Sequence, residues 1–338
     1  MRWGLLLLSR RALRQPYPFR EMSTSALIIE QLNPLANEQD AKFNIATGNT
    51  SFKDFILAYP SGAYTGMRTV HRDSIVEFNT HMNRITNSVS QLFSKDKKAE
   101  SVMSPFRDVK QFEAMAVPML KKGLEAYYNT VDETTHSSHP FEAKVSIVVT
   151  YSSEKEAPLF AAHFSQLHSI PSDKRVKVDI EQESRKAPEV KDSQWVRDRS
   201  QLEEKKSSEI NEVLLMDDHE QLYEGIASNF LAVKMVNDKA VVMCASLDHI
   251  LLGSILKIVL TLCEKHHIDF EWTFPKLQDA RDGKWVGCFI TSTSRLLLPI
   301  ETIYFHDERI EFKESAPIIE FLRSQVSKEI YNGAYKIL

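Results

Sequence analysis

The sequence predicts a mixed α/β (α+β) fold of two domains, a small N-terminal α/β domain followed by a larger C-terminal one. Three observations carry this expectation. A chain of 338 residues has room for two modest domains. Its strand patterns come as short hairpins rather than regular strand–helix crossovers, which disfavours a doubly wound parallel sheet. A polar, turn-rich stretch at 129–142 separates the two patterned halves. The expected division is 1–22 as a leader, 23–142 as the small domain and 143–338 as the large one.

Taken in order, residues 52–59 (FKDFILAY) and 64–70 (YTGMRTV) read as strands around a Pro60-Ser61-Gly62 turn. Ile75 to Phe78 is a further short strand. Thr80 is the expected cap of a helix reaching Phe93, because Met82, Ile85, Val89 and Leu92 recur at helical spacing. Phe106 to Tyr128 is a second helical region, with an interruption expected at Pro118. Strands follow at 145–151, 159–164 and 176–180, then a short helix from Trp195 to Leu202. Residues 212–216 and 221–224 pair across the Asp217-Asp218-His219-Glu220 turn, and 230–236 with 240–245 across Asn237-Asp238. A helix from Gly253 to His266 turns Ile255, Ile258, Val259 and Leu262 inward. Strands at 270–274, 288–292 and 303–305 precede a last helix over 316–331.

Composition narrows the function classes. The chain is 43% hydrophobic and 26% charged, as a globular protein is. Its formal charge of -4, with no basic patch interleaved with aromatics, argues against a nucleic-acid partner. Leu5 to Leu8 is too short a run to span a membrane. Cys244, Cys263 and Cys288 form no close pair, which disfavours a zinc site or a disulfide framework and fits a reducing compartment. Arg2, Arg10, Arg11, Arg14 and Arg20 all precede the first acid, Glu21. Such an arginine-rich, acid-free leader reads as a mitochondrial transit peptide, with a plastid or cytoplasmic location as the alternatives. The mature chain is then expected to begin between Met22 and Ser25.

Chemistry concentrates between Lys191 and Ile300, where a lysine, an acid and two small-residue turns occur in a fixed order. A lysine amine attacks only when neutral, so it needs desolvation or neighbouring positive charge. Lys191 follows Pro188 and Val190 and precedes a helix, a position compatible with a buried strand end. Glu224 closes a hairpin strand just before a glycine. Gly253-Ser254-Ile255 opens an amphipathic helix, where free amides and the helix dipole attract anions. Ser292-Thr293-Ser294 adds hydroxyls and amides at a strand end. An amine for an aldehyde, a carboxylate for a ring nitrogen and donors for a phosphate are the parts of a pyridoxal phosphate site.

Six segments in order extend this pattern: Gly66-Met67-Arg68; His81-Met82-Asn83-Arg84-Ile85; Arg185 with Pro188 and Lys191; Glu224-Gly225 with Ser228-Asn229-Phe230; Leu252-Gly253; and Ser292-Thr293 with Pro299-Ile300. In these segments, and in the interval 224 − 191 = 33 between Lys191 and Glu224, the chain resembles the fold type IV pyridoxal phosphate enzymes. These are the branched-chain aminotransferase-like proteins, the D-amino acid aminotransferases and the aminodeoxychorismate lyases. The resemblance implies a two-domain architecture whose larger domain is a pseudo-barrel. It implies Lys191 as the Schiff-base lysine and Glu224 as the carboxylate against the pyridine nitrogen. Arg68, Ser254, Ile255 (through its main chain) and Thr293 are the implied phosphate anchors.

The activity implied is transfer of an amino group between an amino acid and a 2-oxo acid, by a homodimer. The alternatives are aminodeoxychorismate lysis to 4-aminobenzoate, or a degenerate paralogue without catalysis. The chain also departs from the pattern. Ser254-Ile255-Leu256 stands where many relatives have isoleucine, threonine and arginine, and Ser292 where glycine is common. After Lys191 the chain reads Asp192-Ser193-Gln194-Trp195 rather than an asparagine-rich run, and the interval from Arg68 to Lys191 is long, 191 − 68 = 123. These differences leave the substrate and its stereochemistry open.

Overall fold

A computed structural model describes residues 26–35, 40–135 and 141–338. The expected leader at 1–22 and the start near Met22 to Ser25 lie outside them. In chain order the first elements are β1 (Ala26–Gln31), β2 (Phe43–Gly48), α1 (Phe52–Leu57), β3 (Gly62–Val70), β4 (Ser74–Ile75), α2 (Phe78–Leu92), α3 (Lys97–Val102) and α4 (Val109–Thr135). Next come β5 (Ala143–Ser152), β6 (Ala157–Gln166), β7 (Val176–Glu181), α5 (Gln194–Asp198), α6 (Ser200–Lys205), β8 (Glu212–Met216), β9 (Leu222–Gly225), β10 (Ser228–Val236) and β11 (Lys239–Cys244). The chain closes with α7 (Ser254–Lys265), β12 (Asp269–Trp272), α8 (Leu277–Arg281), β13 (Trp285–Ser292), β14 (Leu296–Phe305), β15 (Glu308–Glu311), α9 (Pro317–Glu329) and β16 (Tyr335–Lys336).

Two sheets organise these elements. The first is seven-stranded, in the order β16-β4-β3-β5-β6-β1-β2. One core packs it against α2 and α4 through residues such as Met82, Ile85, Met119, Leu124, Val145 and Phe164. The second sheet runs β12-β11-β10-β13-β14-β7-β8-β9, with β9 pairing back onto β10. That last pairing closes β10, β13, β14, β7, β8 and β9 into a ring, the pseudo-barrel expected for the larger domain. A cluster drawn from all six strands fills the ring, including Val178, Leu214, Leu222, Phe230, Ile290 and Ile300. Helices α7 and α9 cover it from outside through Ile255, Val259, Leu262, Ile319, Leu322 and Val326. The turn at Asn237-Asp238 is as read from the sequence, with φ of 48° and 61°, the left-handed pair that tight hairpins require.

Several local expectations are corrected. Residues 52–57 form a helix rather than a strand: Phe52, Phe55 and Ile56 recur at helical spacing, and the Ser51 hydroxyl accepts the Asp54 amide at 3.1 Å as a cap. Thr80 caps nothing, because α2 begins at Phe78 and the Thr80 hydroxyl instead donates to the Glu77 carboxylate. Pro118 lies inside α4 without interrupting it. A proline costs a helix interior about 3 kcal/mol, and burial of Phe112, Ala116, Met119, Leu120, Leu124 and Tyr127 along one face exceeds that. The helix also runs through the start of the polar stretch at 129–142, and strands on both sides of residue 142 pair into the same sheet. The second sheet begins at Val176.

Among the described residues, no helix is long and apolar enough to cross a membrane, and no group of histidine, cysteine or carboxylate side chains could hold a metal ion.

Candidate active site

Lys191 sits where the two sheets meet. Its turn is laced to the start of β3: the Tyr64 amide donates to the Lys191 carbonyl at 3.0 Å, and the Ser193 amide to the Gly62 carbonyl at 2.8 Å. The Gly62 amide in turn donates to the Ser193 hydroxyl at 3.0 Å. A side chain on Gly62 would meet the Val149 carbonyl of the neighbouring β5 at 2.5 Å, so the start of β3 holds this place only with glycine. From the other side, the Lys191 amide donates to the Ser88 hydroxyl on α2 at 3.0 Å. Desolvation of the amine lowers its pKa to about 8; Arg84, Arg185 and Arg199 push the same way, against Tyr64. Burial first, and a cluster of guanidinium groups second, thus supply what a neutral lysine amine requires.

Glu224, at the end of β9, is buried at 4% exposure. It accepts the Leu251 amide at 3.1 Å and pairs with Arg185 at 3.4 Å. Burial raises its pKa, opposed by Arg185, the Leu251 amide and Lys191. Lys191 and Glu224 line one cleft together with Arg84, Arg185, Ser254 and Thr293.

The far end of this cleft is a cradle for an anion. Ser254, the first residue of α7, and Thr293, just past β13, place their hydroxyls 2.8 Å apart. Gly253 precedes the helix, and a Cβ there would strike the Asn229 side-chain oxygen at 2.1 Å. Asn229 is fixed in turn by donating to the Leu251 carbonyl at 2.7 Å. Backbone, two hydroxyls and a helix N-terminus therefore converge on the space beside them.

It is Arg84, and not the expected Arg68, that lines the cleft. Arg68 stands on β3 but lines neither this cleft nor the adjoining cavity; its guanidinium is half-buried near Glu142 and Tyr331, with desolvation lowering its pKa. Arg84 lines both. It donates to the Leu252 carbonyl at 2.7 Å, and burial lowers its pKa to about 10. Ile255 turns its side chain into the core beneath α7, leaving only its main chain near the cradle.

Five residues that shape the site receive no role from the sequence reading. Arg84, His81 and Ser88 form a polar stripe on α2 beside the apolar stripe of Met82, Ile85 and Val89. That stripe, at helical spacing, is a readable signal that a second face of α2 meets something polar. Arg185 belongs to a singled-out segment but shows no partner there, and no pattern links it to a glutamate 39 positions later. Tyr64 reads in sequence as one more strand aromatic. In space it lines the adjoining cavity with Lys191, Lys144 and Arg199, and the Lys191 ammonium lies 4.9 Å from its ring centre.

Comparison with known proteins agrees with this architecture. A hypothetical aminotransferase from Mycobacterium tuberculosis in its PLP-bound form is 13% identical, with a TM-score of 0.63 over 90% of this chain and 98% of that one. A fold IV transaminase from Curtobacterium pusillum is 14% identical, with a TM-score of 0.65 over 89% of this chain and 99% of that one. A putative branched-chain amino acid aminotransferase from Thermotoga maritima is 18% identical, with a TM-score of 0.59 over 90% of this chain and 96% of that one. At these identities the likeness is one of fold. No curated protein matches the sequence. The family model for amino-transferase class IV matches residues 62–303, from the glycine that seats the Lys191 turn to the end of the ring of strands. The chain belongs to the class IV amino-transferase family.

Proposed function

We propose that this protein is a pyridoxal phosphate-dependent aminotransferase that works through Lys191. The observation that carries the reading is the convergence, in one cleft, of a lysine of lowered pKa, a buried glutamate and an anion cradle. The donor set suits the cofactor. Arg84, the Ser254 and Thr293 hydroxyls and the free amides opening α7 would hold the phosphate, and Glu224 would face the ring nitrogen. Pyridoxal phosphate, when bound, supplies an aldehyde and an electron-withdrawing ring.

The rest falls to the chain. Lys191 offers its amine to the aldehyde, and its lowered pKa keeps a usable neutral fraction near neutral pH. Beside a bound amino acid, the same amine would be the group placed to take and return a proton at the substrate Cα. Glu224, kept from solvent and oriented by the Leu251 amide, holds its carboxylate where a protonated ring nitrogen would need it. The substrates in this reading are an amino acid and a 2-oxo acid.

The test is chemical trapping. Full-length protein loaded with pyridoxal phosphate and reduced with borohydride should carry the pyridoxyl mass on the peptide containing Lys191. An adduct on another lysine, or none, overturns the reading. Amino transfer to 2-oxo acids, measured beside pyruvate release from aminodeoxychorismate, then separates transaminase from lyase.

A further inference from the structure

We propose that the phenol of Tyr64 is the proton partner of Lys191, the two sharing one proton across the cavity between β3 and the Lys191 turn. The proposal rests on Lys191 being the reactive amine named above.

The geometry places them together twice over. The Tyr64 amide is bonded to the Lys191 carbonyl at 3.0 Å, so the two residues are locked in register along the backbone. Their side chains then turn into the same cavity, with the ammonium 4.9 Å from the phenol ring centre and Tyr64 only 3% exposed.

The charges around them leave the phenol a task. Arg84 reaches in from α2, Lys144 from β5, Arg199 from the end of α5, and Arg185 from the loop ahead of Lys191. Among the described residues, Glu224 is the one carboxylate lining either cavity, and Arg185 already occupies it. Glu203 lies outside both and pairs with Arg199 at 3.0 Å. His81 on α2 hydrogen-bonds Thr65 at 2.8 Å, and burial keeps it neutral by lowering its pKa well below the usual histidine range. Tyr64 is therefore the acidic group free to balance these cations. Burial pushes its phenol up, but the positive charges of Lys191, Arg199 and Arg185 outweigh burial and bring it down to about 8. Lys191 titrates in the same range.

Two groups that titrate together exchange a proton without a large penalty. With the pair held as Lys191 ammonium and Tyr64 tyrosinate, transfer breaks one N–H bond of Lys191 and forms the O–H bond of Tyr64, leaving a neutral amine and a neutral phenol; the reverse step restores the ion pair. The cavity's net charge does not change in either direction. Tyr64 would thus free the amine for attack without releasing a proton to solvent.

The experiment uses the full-length chain stripped of cofactor, with folding of each variant checked by circular dichroism. Tyrosinate absorbance is followed against pH, alongside the rate at which an amine-selective acylating reagent modifies Lys191, read by mass spectrometry. The wild type should show one tyrosinate appearing in the range where Lys191 becomes reactive. Tyr64→Phe should abolish that tyrosinate and move the Lys191 midpoint down by about one pH unit, the size expected for losing an opposite charge at close range. Lys191→Met should move the tyrosinate midpoint up by about the same amount. A tyrosinate signal unchanged by Tyr64→Phe, or a Lys191 midpoint unmoved by it, overturns the proposal. A Lys191 that shares its proton but takes no borohydride-fixed cofactor would instead overturn the functional reading and leave this pair standing.

Discussion

Arg185 joins Glu224 to the turn that carries Lys191: one end of its guanidinium lies 3.4 Å from the Glu224 carboxylate, and the other donates to the Val190 carbonyl. Both side chains of the pair are nearly sealed, at 7% and 5% exposure. Removing one partner of such a pair leaves the other charge buried alone. Glu224→Ala should lower folding stability by about 3–5 kcal/mol. Glu224→Gln keeps an acceptor for the Leu251 amide and should lose less. Chemical denaturation of the cofactor-free protein measures both, and equal losses would show that the Leu251 bond contributes nothing.

Two arginines compete for the phosphate, and the structure separates them. Arg84 lines the cleft, whereas Arg68 stands outside it. Arg84→Met should weaken pyridoxal phosphate binding about 10- to 100-fold, the equivalent of one hydrogen bond to a charged group at ~1.5–3 kcal/mol. Arg68→Met should leave it unchanged. Fluorescence titration with the cofactor compares the two variants directly.

Lys191 destabilises the cofactor-free fold at neutral pH. Its pKa in the folded chain is about 8, against 10.5 for a free lysine, because burial disfavours the ammonium. A depressed lysine pKa means the unfolded chain binds more protons between these values, so stability rises with pH across that interval. The penalty is fully present below about 8 and fades toward 10.5. Lys191→Met, which carries no charge, should therefore melt above the wild type at neutral pH, with the gap closing as pH rises from 8 toward 10.5. Paired thermal melts of the two proteins across this range provide the measurement; a gap that stays constant with pH would rule the argument out.

Gly253 is confined by a neighbour rather than by its backbone angles. Its φ of -69° suits any residue, but a Cβ would enter the Asn229 side chain. Gly253→Ala should displace Asn229 from the Leu251 carbonyl and push the α7 N-terminus off the cradle. We expect a stability loss of about 1–3 kcal/mol, typical of overpacking, with weaker cofactor binding. A Gly253→Ala, Asn229→Ala double variant that recovers stability would identify the clash as the cause.

Much of the large domain was legible because its signals are local. The Asn237-Asp238 turn, the β8–β9 hairpin and the amphipathic α7 each lie within a short window, and each is present. Lys191, Glu224, Ser254 and Thr293 stand out by their order and spacing along the chain, and the structure brings all four to one cleft. What failed was orientation and tertiary override. Two arginines sit in adjacent segments, and only the pitch of α2 against the pleat of β3 decides that Arg84 reaches the cradle. Pro118 reads as a break because propensity says so, but the buried stripe of α4 overrules it. Residues 52–57 look strand-like in composition; the Ser51 cap and the inward turn of Phe55 and Ile56 make them helical.

The mooring of the Lys191 turn on β3 has a mechanical side. Lys191 belongs to the connection between barrel strands β7 and β8, yet its main chain is tied to the other sheet at Gly62 and Tyr64, and to α2 through Ser88. Lys191 is thus a rivet through both halves of the molecule. A hinge that opened the cleft would have to tear these bonds or carry the lysine along, so substrate traffic has to pass around a stationary amine.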